Sequence, residues 1–390
     1  MDMHSLLPAA RVTRHIRLHH QRLLMKALSV HPGASQAELI EDSGLSRPTV
    51  GAILDTLCAQ GYVVRDRSER ARRGAPVGHY FLNAQEIRFL GVDIGPAGSF
   101  GQWIDINGRR LSSREWGQPG LLVPTQAVQV DPDDTVSGGT IAVPAMFDPK
   151  SQQLERSTVV PELVPSRLRE RFAAAYQAPF HYVHNAAAAA LAEQSISHEP
   201  FVVFVLLRTS IGVGYADSEG PAGLGPHHGE IAHLPIDPAG PVCTVCGRRG
   251  CLESWVGIKA LAHVLEVALT IGREDDRAIL AEVRERLQSL DGRWPPALHG
   301  ALEALATAAE ILTQVVGEVP LVLGGPIGEL LLTGVRERIK QHPAWLSPRL
   351  RPPRTVLPES FRVAYGAALA ARDQWLDTFA IEMGSEQEQL

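Results

Sequence analysis

The sequence predicts an α/β body, residues 89–390, carried behind a small basic head, residues 1–88, made of helices and a closing hairpin. Three observations lead there. From Phe89 onward, short apolar runs of strand type alternate with helical segments, the pattern of an α/β protein. The 390 residues are 45% hydrophobic and 21% charged, enough apolar material for two or three packed domains. The charge is also divided: residues 1–88 carry 12 Lys and Arg against 8 Asp and Glu, whereas the remainder is strongly acidic and brings the chain to −6. A basic head on an acidic body points to one part that meets a polyanion and another with a separate task. No run approaches the roughly 18 apolar residues of a membrane span. The first residues lack the regions of a signal peptide, so a cytoplasmic protein with no membrane partner is expected.

In the head, Arg11 to Ser29 reads as a helix with Ile16, Leu23, Leu24, Ala27 and Leu28 near one face, ended by His31-Pro-Gly. Ser35-Gln-Ala-Glu38 is a capping box that starts a short helix to about Asp42. Ser43-Gly44 turns the chain, and Ser46 caps a third helix running to about Gln60, with Pro48 in the first turn where a missing N–H costs little. Leu45 and Val50 form a hydrophobic staple, and Val50, Ile53, Leu54 and Leu57 make the buried stripe. Two short helices around a tight turn are the pattern of a helix-turn-helix.

Gly61 to Asp66 and His79 to Leu82 then read as paired strands, and five arginines lie on or between them: Arg65, Arg67, Arg70, Arg72 and Arg73. An Arg-rich hairpin tip suits phosphates or a narrow minor groove. A winged helix-turn-helix that binds double-stranded DNA is therefore expected, with Ser46, Arg47, Thr49, Arg70, Arg72 and Arg73 as DNA-binding residues. The competing reading is a helical protein-interaction domain with a solvated charge run. The third helix also exposes Gly51 and Ala52, which offer little to a base edge, so direct readout falls on Arg47 and Thr49.

In the body, Phe89-Leu-Gly-Val-Asp-Ile-Gly and Gln102-Trp-Ile-Asp-Ile read as strands, as does Thr140-Ile-Ala-Val-Pro. Residues 165–178 and the alanine-rich run from Ala186 to Gln194 read as helices. Phe201 to Leu207 is a long strand, and Val319-Pro-Leu-Val-Leu leads into Gly324-Gly325 and a further helix. Three of the four cysteines fall between 243 and 251. With His233 they make a Cys3His set, Cys243, Cys246 and Cys251 supplying thiolates, which suits a tetrahedral metal in a reducing compartment better than a disulfide.

The succession GVDIG, IAVP, HNAAAAALAE, SIGVG, GEIAH, CTVCGRRGCLE and VLGGPIG resembles the ROK family (repressors, open reading frames, sugar kinases) over roughly residues 12–372. The head, with GLSRPTVGAIL, resembles the winged helix of that family's repressor branch. The resemblance implies a two-lobed actin-like ATPase (ribonuclease H-like) body with sugar in the cleft. The expected division is a small lobe at 89–185 joined by a returning helix at 360–378, a large lobe at 186–359 bearing the dimer interface, and a disordered tail at 379–390.

The resemblance also implies a structural zinc at His233, Cys243, Cys246 and Cys251, although the family spacing is Cys-x-Cys where this chain has Cys-x2-Cys. It implies sugar contacts from His184, Asn185, Glu230, His233 and Glu253. Glu230 has an alternative role supporting the zinc loop, and His184 one as a partly buried histidine without a ligand. His227 and His228 are expected in the cleft loop. Kinases of the family carry an Asn-Asp pair, whose Asp takes the sugar hydroxyl proton; without gaps those positions are His184 and Asn185, and an amide cannot hold that proton. The first phosphate loop is altered to Asp93-Ile-Gly-Pro96-Ala97-Gly98, and Arg208 and Ser210 replace glycines of the second. No catalysis and no ATP are expected. The reading is a sugar-responsive transcriptional repressor acting as a homodimer or homotetramer. The alternatives are a sugar kinase with an appended DNA-binding domain and a ligand-independent regulator; His184 and the missing Ser-Asn-Leu-Pro-Gly segment near 157–164 leave the latter open.

Overall fold

The computed structural model describes residues 9–66, 78–95, 98–116, 135–217, 220–221, 229–267, 276–342, 348–354 and 359–386. The head comprises α1 (Ala9–Val30), β1 (Ala34–Ser35), α2 (Gln36–Ser43), α3 (Arg47–Ala59), β2 (Val63–Asp66) and β3 (His79–Leu82). Both caps form. The Ser35 hydroxyl and the Glu38 carboxylate complete the capping box, and Ser46 accepts from the Thr49 N–H. Gly44, at φ 66, closes α2 in the left-handed conformation that glycine adopts without a side-chain clash. β2 and β3 pair antiparallel from Val63↔Leu82 to Asp66↔His79, and β1 adds a third strand that the sequence pattern does not show.

The head's core contains the expected Val50, Ile53, Leu54 and Leu57 together with Leu24, Met25, Leu28 and Leu39. Of the expected face of α1, Leu24 and Leu28 are fully buried, joined by Gln21 and Met25, whereas Ile16 is 51% exposed. A Cβ at Gly51 of α3 would stand 3.1 Å from Gln36 Nε2, the end of a flexible side chain on α2.

The body begins with β4 (Arg88–Gly95), β5 (Gly98–Asp105), β6 (Arg110–Trp116) and β7 (Gly138–Val143), followed by a small hairpin of β8 (Met146–Phe147) and β9 (Leu154–Arg156). A helix over 165–178 is too long an expectation. A 3₁₀ turn occupies Pro161–Ser166, Arg167 takes φ 47, and α4 runs only over Leu168–Tyr176. β10 (Phe180–His184) completes a five-stranded sheet of order β10-β7-β4-β5-β6. Along β4 the two-residue period is visible: Leu90, Val92 and Ile94 enter an aromatic-rich core with Trp103, Trp116 and Phe172, while Phe89 belongs to the core on the opposite face.

α5 (Asn185–Ser197) leads to β11 (Phe201–Leu207), β12 (Ile211–Asp217), β13 (Gly220–Pro221), α6 (Leu252–Val256), α7 (Ile258–Val264), α8 (Asp276–Ser289) and α9 (His299–Val316). β14 (Leu321–Gly324), α10 (Gly325–Ile339), β15 (Leu350–Arg351) and α11 (Glu359–Glu386) follow. The second sheet has the order β13-β12-β11-β14-β15. Both sheets are thus built alike: a meander of three antiparallel strands, then a fourth strand parallel to the first and a fifth beyond it.

α5 and α11 pack between the sheets at unusually short range. A Cβ on Gly214 of β12 would fall 1.9 Å from the Ala186 carbonyl oxygen, and one on Gly366 of α11 would fall 1.7 Å from that of Ala188. The alanine-rich run is therefore a helix squeezed from two sides. Glu193 of α5, fully buried, accepts from Arg351 Nη1 at 2.5 Å and from Arg362 Nη1 at 2.9 Å, so its charge is paired where water cannot reach it. The expected tail at 379–390 needs correction. α11 is helical to Glu386, and Phe379 is buried with its ring against Tyr62 of the head; residues 387–390 lie outside the described range.

Candidate functional site

Three constellations of chemistry-bearing residues stand on this scaffold. On the head, Arg47 is exposed at the first turn of α3 and Thr49 is half-buried beside it. The Ser46 hydroxyl is engaged by the Thr49 N–H at 3.4 Å and by Thr49 Oγ1 at 2.8 Å, so it primarily shapes the helix start. Arg65 lies over the Tyr80 ring, 5.4 Å from its centroid. Arg70, Arg72 and Arg73 lie outside the described residues.

The second constellation is the cysteine loop. The 3₁₀ turn Ile231–His233 and the start of α6 hold His233 and Cys251, while the intervening loop brings in Cys243 and Cys246. One ligand atom from each of the four lies within 4.8 Å of every other. His233 Nδ1 is 3.7 Å from Cys243 Sγ, and Cys246 and Cys251 sulfurs are 3.5 Å apart. In a tetrahedral site with Zn–S near 2.3 Å, neighbouring ligand atoms stand roughly 3.5–3.8 Å apart. These residues can hold one metal ion, and the Cys-x2-Cys spacing does not displace Cys243 from the set. Burial holds His233 below the usual histidine range, keeping its imidazole neutral as a ligand must be. Burial also lifts the Cys251 thiol to about 11, while the backbone N–H of Arg248 lowers Cys246. A bound cation would draw both to thiolate.

Between the sheets opens a cleft of about 600 Å³, counted to its mouth, whose lining includes Gly95, His184, Asn185, Arg208, Ser210 and Glu230. β10 ends at His184 and α5 begins at Asn185, one residue earlier than the alanine pattern predicts. This places Asn185 at the helix start, where its Oδ1 accepts the Ala186 N–H at 2.7 Å. His184 Nε2 stands 3.8 Å from Glu230 Oε1. Glu253, on α6, is not part of the lining but reaches it through Ser210, whose hydroxyl donates to Oε2 at 3.1 Å. Burial lifts the Glu253 carboxyl to about 7, against the opposing hydrogen bond from Ser210. His233 points into the metal cluster and is absent from the cleft lining. His227, His228 and Pro96 lie outside the described residues.

The residue pair that sequence reasoning missed is at the cleft floor. Arg208 Nη1 donates to Asp93 Oδ2 at 2.9 Å and to Oδ1 at 3.1 Å. Arg208 stands out in the sequence as an arginine among glycines, but nothing there names Asp93, 115 residues away, as its partner.

The sequence profile of the ROK family matches residues 128–365 of this chain. The chain belongs to the ROK family. Residues 19–74 of this ROK protein match the MarR family profile, which covers the helix-turn-helix and the first wing strand. The xylose repressor of Bacillus subtilis (strain 168) is 25% identical over 270 residues, 63% of this chain and 68% of its own length. The crystal structure of a ROK family transcriptional regulator, a homologue of the E. coli MLC protein, superposes with a TM-score of 0.65 at 20% identity over 94% of this chain and all of its own. The ROK hexokinase of Thermus thermophilus superposes on 75% of this chain and all of its own, at 23% identity and a TM-score of 0.55. The fold is therefore an N-terminal helix-turn-helix followed by the ROK actin-like body, and both repressors and kinases share that body. Among the described residues no helix is long and apolar enough to cross a membrane.

Proposed function

We propose that this ROK protein is a sugar-responsive transcriptional repressor whose kinase-like body, residues 89–390, senses the effector while the winged head, residues 1–88, binds a double-stranded DNA operator. The observation that carries the reading is the head itself: a capped helix-turn-helix with an exposed Arg47, docked on α11, the same helix that packs against the cleft-bearing sheets. Similarity to a xylose repressor supports it.

The body acts as a sensor rather than a kinase in this reading. Asn185 has no basicity with which to take a hydroxyl proton, and its Oδ1 is already held by the helix N–H. Arg208 sits where backbone would have to approach a phosphate, so neither catalysis nor ATP is part of the function. Asn185 and Glu230 supply donors and acceptors for sugar hydroxyls, with His184 beside them and Glu253 acting through the Ser210 hydroxyl it holds. His233, Cys243, Cys246 and Cys251 hold a structural zinc that fixes the loop between Glu230 and Glu253. The acting species is a cytoplasmic homodimer or homotetramer. An effector that prefers one closure state of the cleft then shifts the placement of paired heads, and operator affinity with it.

The test selects DNA from a genomic fragment library with the purified protein, then titrates the selected operator against a panel of sugars and sugar derivatives, with ATP consumption followed in parallel. One sugar lowering operator affinity, with ATP consumption at background, is the expected result. Sugar-dependent ATP turnover would replace this reading with that of a kinase.

A further inference from the structure

The Asp93–Arg208 pair is used neither by the head nor by hydroxyl recognition, and its placement is unusual. Asp93 lies near the end of β4, the first strand of the first sheet; Arg208 follows β11, the first strand of the second. Because the two sheets share one strand order, these are equivalent corners of the two halves, and the side chains meet across the cleft floor. The Asp93 carboxylate is fully buried and the Arg208 side chain is only 12% exposed. A carboxylate so removed from water needs a counter-charge that also donates hydrogen bonds, and a guanidinium supplies both.

The turn carrying Arg208 also faces the ligand side of the cleft. The Arg208 N–H donates to the Ser210 carbonyl at 3.1 Å, and the Ser210 hydroxyl donates to Glu253. Asn185, Ser210 and Glu230 line the same space. A ligand resting on those groups therefore rests on the turn that holds the pair. A nucleotide between two phosphate loops would join the sheets through its phosphates; here the join belongs to the chain itself.

We propose that Asp93 and Arg208 form an intrachain tie between the two lobes, in which Arg208 is a positioning residue that holds the cleft at its ligand-competent spacing and so sets effector affinity. The inference rests on the reading of the cleft as an effector site. Releasing the tie spreads the lobes over a range of separations. Only a fraction of these fits the ligand, and apparent affinity falls in proportion to that fraction.

The experiment uses the full-length protein with Arg208→Gln, the conservative Arg208→Lys, and the double variant D93N/R208Q, which removes both charges so that no buried carboxylate is left alone. Without ligand, hydrogen exchange is followed over residues 88–95 and 201–212, and lobe spacing by small-angle X-ray scattering. Arg208→Gln and the double variant are expected to exchange about tenfold faster in those segments and to scatter as a wider body, while exchange in α2 and α3 stays unchanged. Arg208→Lys is expected to recover part of the protection. Calorimetry with whichever sugar the wild type binds is expected to show about tenfold weaker binding for Arg208→Gln. Wild-type exchange and scattering in both the single and double variants would overturn the tie, as would unchanged sugar affinity in a loosened body. A wild type that binds no sugar at all would sink the sensor reading, whereas exchange and scattering would still decide the tie by themselves.

Discussion

The ring of Tyr62 stands edge-on to that of Phe379, with centroids 4.7 Å apart at 86°, and this contact joins the entry to the wing to the C-terminal helix of the body. Trp375 extends the cluster, 4.8 Å from Phe379 and 5.7 Å from Phe89 of β4. Lys26 Nζ reaches Asp377 at 2.7 Å alongside it. The head is thus seated on α11 by aromatic packing, with an exposed ion pair at the rim that contributes little, about 0–1 kcal/mol.

Phe379→Ala should loosen this seat by about 3 kcal/mol, the lower end for an aromatic truncation in a core. Limited proteolysis between head and body should quicken. Effector-free operator binding should change little, because α3 is untouched, but the response to effector should be lost. Asp377→Asn should show neither effect, because an exposed ion pair contributes little to stability. An intact effector response in Phe379→Ala would show that the head is signalled by another route.

For the DNA interface, Arg47→Ala should relax preference at particular base pairs by roughly 1–3 kcal/mol, the range for a bidentate base contact. Replacing Arg72 and Arg73 together should weaken binding nearly equally for all sequences and flatten its salt dependence. Fluorescence anisotropy over a salt series, with operator and scrambled duplexes, separates the two. Wild-type behaviour of both variants would remove the winged head from the DNA.

The metal cluster should carry about one zinc per chain by elemental analysis, matching one tetrahedral site. Cys246→Ser and Cys251→Ser should each lower zinc content and melting temperature together, because binding at such a loop is coupled to its folding. Full zinc content in both variants would reject these ligands.

Glu253 gives a pH dependence with a definite sign. Its folded carboxyl titrates near 7, raised by burial from an ordinary 4.5. Between those values the folded chain holds more protons than the unfolded chain, so the stabilising contribution is full below about pH 4.5 and is lost as pH rises through 7. Glu253→Gln should remove that component. The melting temperature of the variant minus that of wild type should therefore increase by a few degrees from pH 5 to pH 7.5. A constant difference would mean that the carboxyl ionises normally.

Asn185→Asp should not create a sugar kinase, since Arg208 still occupies the cleft floor. Glu230→Ala should abolish the effect of sugar on operator binding and leave sugar-free binding largely intact. Phosphorylated sugar from either the wild type or Asn185→Asp, detected by mass spectrometry, would contradict this account.

The features legible in the order of residues alone are local or periodic. The capping box at Ser35 and Glu38, the Ser46 cap and the buried stripe of α3 depend on residues a few positions apart, and their physics is complete within a short window. The four candidate metal ligands were legible for a similar reason, three of them lying within nine residues. Packing settles what lies opposite what. It placed Asn185 at a helix start, moved Ile16 to the surface, turned a supposed tail into the seat of the head, and set Arg208 against Asp93 and Tyr62 against Phe379. The Arg208–Asp93 and Tyr62–Phe379 contacts each join two chain segments far apart in sequence. A buried charge or an aromatic edge shows in sequence only that it needs a partner; which residue answers is settled when the sheets and α11 pack.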